Sequence, residues 1–176
     1  MNNKIVFFVI LIFISCSKVT PRKPINPKKS TTIFKETIKE NKLLNKVEDA
    51  KILALIKKDS TKTYFQSSNG FWYTYIKKIE EDLPTPKQEN EVTLSYNITD
   101  LNDLIIYSKE ELGVKKYKID KEDFISGLQK GIKLMKIGET LTFVIPSYSA
   151  FGITGDGNKI GVNQSIKSTV TLINIK

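Results

Sequence analysis

The sequence predicts an α+β fold: an antiparallel, curved β-sheet wrapped around one short α-helix, with a helical extension on its N-terminal side. Three observations carry this reading. Val92–Ile98, Thr140–Ile145 and Ser165–Lys176 alternate apolar and polar residues, the period-two pattern of half-buried antiparallel strands. Phe124, Leu128, Ile132 and Met135 fall at i, i+4, i+8 and i+11, one face of a helix. The 176 residues suffice for one domain of ordinary size plus extras.

Taken in order, residues 1–15 read as an export signal. Lys4 supplies a positive start, and Ile5–Ile14 is an unbroken apolar run of about half the roughly 20 residues a spanning helix needs. It stops at Ser15-Cys16, the chain's one cysteine. This resembles a bacterial lipoprotein signal, cut before a cysteine that then carries lipid, so Cys16 is the expected lipidation site. A plain signal peptide or an uncleaved short anchor, with an incidental cysteine, is the alternative. Residues 16–32 form the tether; from Ser17 it holds three prolines, five basic residues and no acid or aromatic. Pro-rich chain is extended at about 3 Å per residue, so the tether reaches roughly 50 Å. Its charges are set either to meet anionic lipid or simply to stay solvated.

Residues 33–88 read as a helical extension and a leading strand. Leu43, Val47, Ala50 and Ala54 recur at helical spacing and predict the buried stripe of a helix over 33–58, widened by Leu44, Leu53 and Ile56. Asn69-Gly70 is a turn signal, and the aromatic run Phe71–Ile76 reads as a strand. Leu83-Pro84-Thr85-Pro86 ends it in a loop.

Residues 89–176 hold the remaining strands and the short helix. After Val92–Ile98, further strands are expected at Leu104–Tyr107 and at 117–119. Asp120 is expected to open the helix and Gly138 to close it. Gly127 and Gly131 lie inside that helix, each costing about 1 kcal/mol relative to alanine. Two such costs in so short a helix point to close approach of its backbone to the sheet. The glycine-rich loop Ser147–Asn163 has the length of a binding loop, but lacks the spacing of a phosphate cradle.

Composition narrows the chemistry. With no histidine, every His-based triad and His-ligated zinc site is excluded; with one cysteine, so is an intrachain disulfide. No metal and no cofactor is expected. The net charge of +9 invites a nucleic-acid or anionic-membrane reading, but five of the basic residues lie in the tether and the C-terminal half mixes both signs. No nucleic-acid partner is expected.

The stretch Gly127-Leu128-Gln129-Lys130-Gly131-Ile132-Lys133-Leu134-Met135-Lys136-Ile137-Gly138-Glu139, followed by Phe143-Val144-Ile145-Pro146 and Ala150-Phe151-Gly152, resembles the FKBP-type peptidyl-prolyl cis–trans isomerases. With the lipid signal, the extension at 50–88 and Ile106-Tyr107-Ser108, it resembles the gliding-motility-associated FKBP-type lipoproteins of Bacteroidetes. The resemblance implies catalytic positions at Tyr96, Tyr107, Phe124, Ile125 and Phe151, and substrate-binding positions at Ile106, Tyr117, Leu128, Ile160 and Ser168. Taken singly, Phe124, Leu128 and Tyr117 would read as core. The family pattern has Asp at Tyr107, Tyr at Phe151 and Phe at Ser168, departures that weaken the pocket.

The implied reaction suits the composition, since isomerising an Xaa-Pro bond makes and breaks no covalent bond and needs no nucleophile. The resemblance thus implies a membrane-anchored prolyl isomerase facing the periplasm, acting on Xaa-Pro segments of exported proteins, with components of a motility or secretion complex as partners. The alternative is a non-catalytic lipoprotein whose pocket binds Pro-containing segments or scaffolds an envelope complex.

Overall fold

The structure is a computed structural model that describes residues 30–176. Cys16, the signal segment and nearly all of the tether lie outside the described residues. The chain divides into two units, Met1–Ile38 and Lys39–Lys176. In the first, the described residues are helical, with exposed side chains from Phe34 to Ile38.

Helix α1 spans Ser30–Lys58. Strand β1 (Phe65–Gln66) turns through Gly70 into β2 (Trp72–Lys77). The Asn-Gly signal is realised there: Gly70 has φ +79°, and the Ser67 N–H donates to the Phe71 carbonyl at 2.8 Å. Strands β3 (Glu91–Tyr96), β4 (Ile98–Thr99) and β5 (Ile105–Tyr107) follow, then the short helix α2 (Lys109–Leu112) and β6 (Val114–Lys118). Helix α3 (Ser126–Ile132), β7 (Thr140–Ile145), a 3₁₀ turn (Ser147–Ser149) and β8 (Ile166–Ile175) complete the chain. The sheet runs β1-β2-β7-β8-β3-β6, with β4 bridging β8 and β5. All of its pairings are antiparallel.

The inward faces are those the alternation predicts. Val92, Leu94 and Tyr96 of β3, Leu141, Phe143 and Ile145 of β7, and Ile166, Val170 and Leu172 of β8 pack around Leu128, Ile132 and Met135. The two helix glycines explain how α3 sits so close. A Cβ on Gly127 would stand 2.6 Å from Ile145 Cγ2, and one on Gly131 2.5 Å from Phe143 Cε1. The predicted close approach is therefore present, and the lost helix propensity is offset by packing.

Three expectations are corrected. The helix does not begin at Asp120, which lies in a left-handed turn at φ +59° with its carboxylate paired to Lys133 at 2.9 Å. It starts six residues later, and Gly138 belongs to the turn before β7, because the chain leaves the helix after Ile132. The strand expected at 117–119 instead covers Val114–Lys118, in register with β3.

The third correction concerns α1. Leu43, Val47, Ala50 and Ala54 are exposed, Leu43 at 63% and Val47 at 47%. The buried face is the opposite one, where Ile52 is fully enclosed with Trp72 and Val144; of the residues expected to widen the stripe, Leu44 and Leu53 are exposed and Ile56 packs against this cluster. Trp72 and Val144 are register partners on β2 and β7, on the side of the sheet away from α3. Within the second unit both sheet faces are thus covered, one by α3 and the other by the stretch of α1 around Ile52 and Ile56.

Candidate functional site

A cleft of about 410 Å³ opens where β3, β4, β5, the segment before α3 and the β7–β8 loop meet. Its walls are mainly apolar. Tyr96 comes from the end of β3, Phe124 and Ile125 from the segment entering α3, and Ala150 and Phe151 from the loop after the 3₁₀ turn. All five residues expected to be catalytic, Tyr96, Tyr107, Phe124, Ile125 and Phe151, line it.

Aromatic contacts fix the wall. The Phe124 ring meets Tyr96 edge-on at 5.4 Å and 88°, and leans on Tyr117 at 5.2 Å. Its backbone is pinned by Gln129, whose side-chain amide donates to the Phe124 carbonyl at 2.8 Å. Lys115 lies over the outer face of the same ring, its Nζ 5.4 Å from the centroid.

Among the lining residues, the Tyr96 hydroxyl and the Ile125 backbone N–H have no hydrogen-bond partner among the described residues. Since no buried side-chain polar atom is left unpaired among the described residues, the Tyr96 hydroxyl reaches the cleft's solvent. Burial of its ring raises the phenol above its usual range, so it is a neutral donor at ordinary pH.

The polar side of the cleft is built differently. The Tyr107 hydroxyl donates to Asp156 Oδ2 at 2.5 Å and accepts from the Asn158 amide at 3.2 Å. Asp156 Oδ1 accepts from the backbone N–H groups of Asn158 and Ile160 at 2.9 and 2.8 Å. Partial burial alone would raise the Asp156 carboxyl; the bonds from Tyr107 and the two backbone groups outweigh it and hold it below the usual range. The same bond raises Tyr107. Lys159 sits over the Tyr107 ring at 4.6 Å and pairs with Glu111 of α2.

The expected substrate-binding residues occupy a second layer. Tyr117 and Leu128 are fully buried, the former directly behind Phe124. Ile160 is buried at the base of the loop, and Ile106 packs against the main core. Ser168 is fully enclosed, its hydroxyl donating to the Asn97 carbonyl at 2.7 Å. None of these five is among the lining residues. Ile98, Leu112, Lys115, Asp123, Ala150 and Asp156 line the cleft without having been singled out as site residues in the sequence. The glycine-rich loop signalled Asp156's region, but nothing local signalled its partner 49 residues upstream.

Comparison with known proteins follows the same line. The pattern of the FKBP-type peptidyl-prolyl cis-trans isomerase family matches residues 83–173. The chain is 30% identical over 118 residues to the probable FKBP-type peptidyl-prolyl cis-trans isomerase FkpA of Neisseria meningitidis serogroup B, an alignment covering 67% of this chain and 41% of that protein. The chain therefore spans about two fifths of that relative's length. Among solved structures, it is similar to FkpA from Escherichia coli, with a TM-score of 0.61 and 22% identity, covering 98% of this chain and 81% of that one. It is also similar to a peptidyl-prolyl cis-trans isomerase from Pseudomonas syringae pv. tomato, with a TM-score of 0.60 and 19% identity, covering 74% and 95% of the two chains.

Proposed function

Because the chain belongs to the FKBP-type peptidyl-prolyl cis-trans isomerase family, we propose that it catalyses cis–trans isomerisation of Xaa-Pro bonds in the cleft between Tyr96, Phe124, Ile125 and Phe151. The observation that carries this reading is a mainly apolar cleft whose lining includes the unpartnered Tyr96 hydroxyl and Ile125 N–H. A planar imide is stabilised by resonance, and rotation must cross a barrier of about 18–20 kcal/mol. At the twisted geometry that resonance is lost, and with it much of the carbonyl's charge separation. A dry aromatic wall favours this less polar state over the planar one. In this reading the Ile125 N–H holds a substrate carbonyl and the Tyr96 hydroxyl steadies a neighbouring one, so that the proline ring rotates against Phe124 and Phe151 while the flanking chain stays fixed.

A second reading, a binder of Pro-containing segments without turnover, is favoured by two features. Phe151 brings no hydroxyl to the cleft, and the Tyr107 hydroxyl is already committed to Asp156. The deciding measurement is the cis–trans relaxation rate of Xaa-Pro tetrapeptides with the purified protein. Acceleration proportional to enzyme concentration is expected; the uncatalysed rate at saturating peptide would leave the binder reading.

The setting of this activity belongs to the same proposal. Cys16 carries lipid, the basic tether spaces the domain from the membrane, and the clients are exported proteins on the periplasmic side, including components of a motility or secretion complex. Support for this setting comes from the sequence: the apolar run ending at Cys16, the Pro- and Lys-rich tether, and the similarity to gliding-motility-associated lipoproteins.

A further inference from the structure

The loop that brings Phe151 into the cleft is held from outside by a carboxylate on α1. Glu48 Oε1 accepts from the Ser147 backbone N–H at 2.9 Å and from the Ser165 hydroxyl at 2.5 Å, while Oε2 accepts from the Ser147 hydroxyl at 3.0 Å. Ser147 passes this constraint inward. Its carbonyl accepts the N–H of Ala150 at 2.9 Å and of Gly152 at 2.8 Å, the two residues that bracket Phe151. The backbone on either side of the Phe151 ring is therefore two hydrogen bonds from one carboxylate 99 residues before Ser147.

The surroundings strengthen the link. Ser147 and Ser165 are buried, at 4% and 8% exposure, so these charge-assisted bonds compete little with water. The next residue repeats the contact: Asp49 Oδ1 accepts from the Tyr148 hydroxyl at 2.9 Å, in the same turn. Burial first, and this bond second, raise the Tyr148 phenol well above its usual range. Such an arrangement exceeds what docking a helix requires, since Ile52 already supplies an apolar anchor against Trp72 and Val144.

We propose that Glu48 is a positioning residue for the isomerase reaction: through Ser147 it sets the pose of Phe151, so that α1, which places no residue in the cleft, governs turnover. The inference rests on the reading of the cleft as an isomerase site. A helix that only braces the sheet predicts instead that every bond to Glu48 matters through stability alone. Ser165 separates the two accounts, because it shares the carboxylate but lies outside the Ser147–Gly152 turn.

The experiment compares the full chain with Glu48→Gln, Glu48→Ala and Ser165→Ala, well below the unfolding temperature of each. It measures kcat and KM on Xaa-Pro tetrapeptides, and the amide NMR shifts of Ala150, Phe151 and Gly152. The expected result is graded: kcat/KM falls about fivefold or more in Glu48→Ala, is largely restored in Glu48→Gln, whose amide oxygen still accepts the Ser147 N–H, and stays within about twofold of wild type in Ser165→Ala. The three amide shifts should move in the Glu48 variants and not in Ser165→Ala. Folded Glu48→Ala with unchanged turnover and unmoved amides would overturn the proposal. So would equal losses of activity in Ser165→Ala and Glu48→Ala. If Glu48→Ala does not fold, Glu48→Asp, whose shorter side chain draws the carboxylate back from the Ser147 N–H, takes its place under the same criteria. Should the wild type show no turnover, the isomerase reading fails on its own; the positioning role is then judged by the amide shifts with tetrapeptide affinity, and unmoved amides with unchanged affinity overturn it.

Discussion

The Tyr107 hydroxyl donates to the Asp156 carboxylate across 49 residues of sequence, tying the glycine-rich loop to β5 at the mouth of the cleft. The pair restores a carboxylate to a site where the residue at position 107 carries none. It also sets a pH window. Asp156 titrates below its usual 3.8, so the bond contributes fully above that value and is lost as pH falls through the lowered pKa. Tyr107 titrates above its usual 10.0, so the bond is intact below that value and is lost as pH rises through the raised one. Tyr107→Phe should lower Tm by a few degrees at most between about pH 5 and about pH 9, with the difference from wild type closing at strongly acidic pH. Thermal unfolding across pH tests this; a difference that persists unchanged below the lowered Asp156 pKa contradicts it.

Tyr96→Phe isolates the free hydroxyl. Since that hydroxyl bonds to no described residue, the fold should keep its stability to within about 0.5 kcal/mol. Turnover should fall by up to about tenfold, the value of roughly one hydrogen bond to substrate. Paired thermal melts and kcat/KM decide it, and undiminished turnover removes Tyr96 from the donor role.

Phe151→Tyr runs the other way. It adds a donor at the cleft wall beside Ala150. For an active enzyme, kcat/KM should rise modestly, by up to about tenfold. For a pure binder, both proteins should remain at the uncatalysed rate while still taking up a Pro-containing peptide in titration.

Gly131→Ala tests the packing of α3 on β7. The new methyl would meet the Phe143 ring at 2.5 Å. Overpacking of a core costs about 1–3 kcal/mol, against about 1 kcal/mol gained in helix propensity, so the variant should be destabilised on balance. Chemical denaturation measures it; a variant more stable than wild type would show that the ring moves aside freely.

Cys16→Ser addresses the anchor. Fatty-acid labelling of the protein should disappear, and the protein should leave the membrane fraction or remain unprocessed. Labelling that persists in the variant would place the lipid elsewhere or show that Cys16 carries none.

Much of the fold was legible in local pattern. Alternation in β3, β7 and β8 named the residues that face the core, because a strand sends successive side chains to opposite sides and only one side meets α3. Gly127 and Gly131 foretold the close helix-to-sheet contact, because their cost in a helix needs a packing reason. The cleft's lining at Tyr96, Tyr107, Phe124, Ile125 and Phe151 was legible only through the resemblance of residues 127–139 and 150–152 to the isomerase family.

Tertiary structure alone decided the rest. Helix α1 carries apolar residues on two opposite faces, and the stripe through Leu43 and Val47 that periodicity favoured is the exposed one; Trp72 and Val144 on the far side of the sheet enclose Ile52 instead. Ser168 stands in an inward register that the strand pattern predicted, but only the fold brings its hydroxyl to the Asn97 carbonyl, 71 residues away in sequence. Asp156 reaches Tyr107, and Glu48 reaches Ser147, over separations of 49 and 99 residues. A local pattern records the propensities of neighbours in sequence. A hydrogen bond between distant segments forms only after the sheet has closed and brought its two ends within about 3 Å, so its partners are set by the fold.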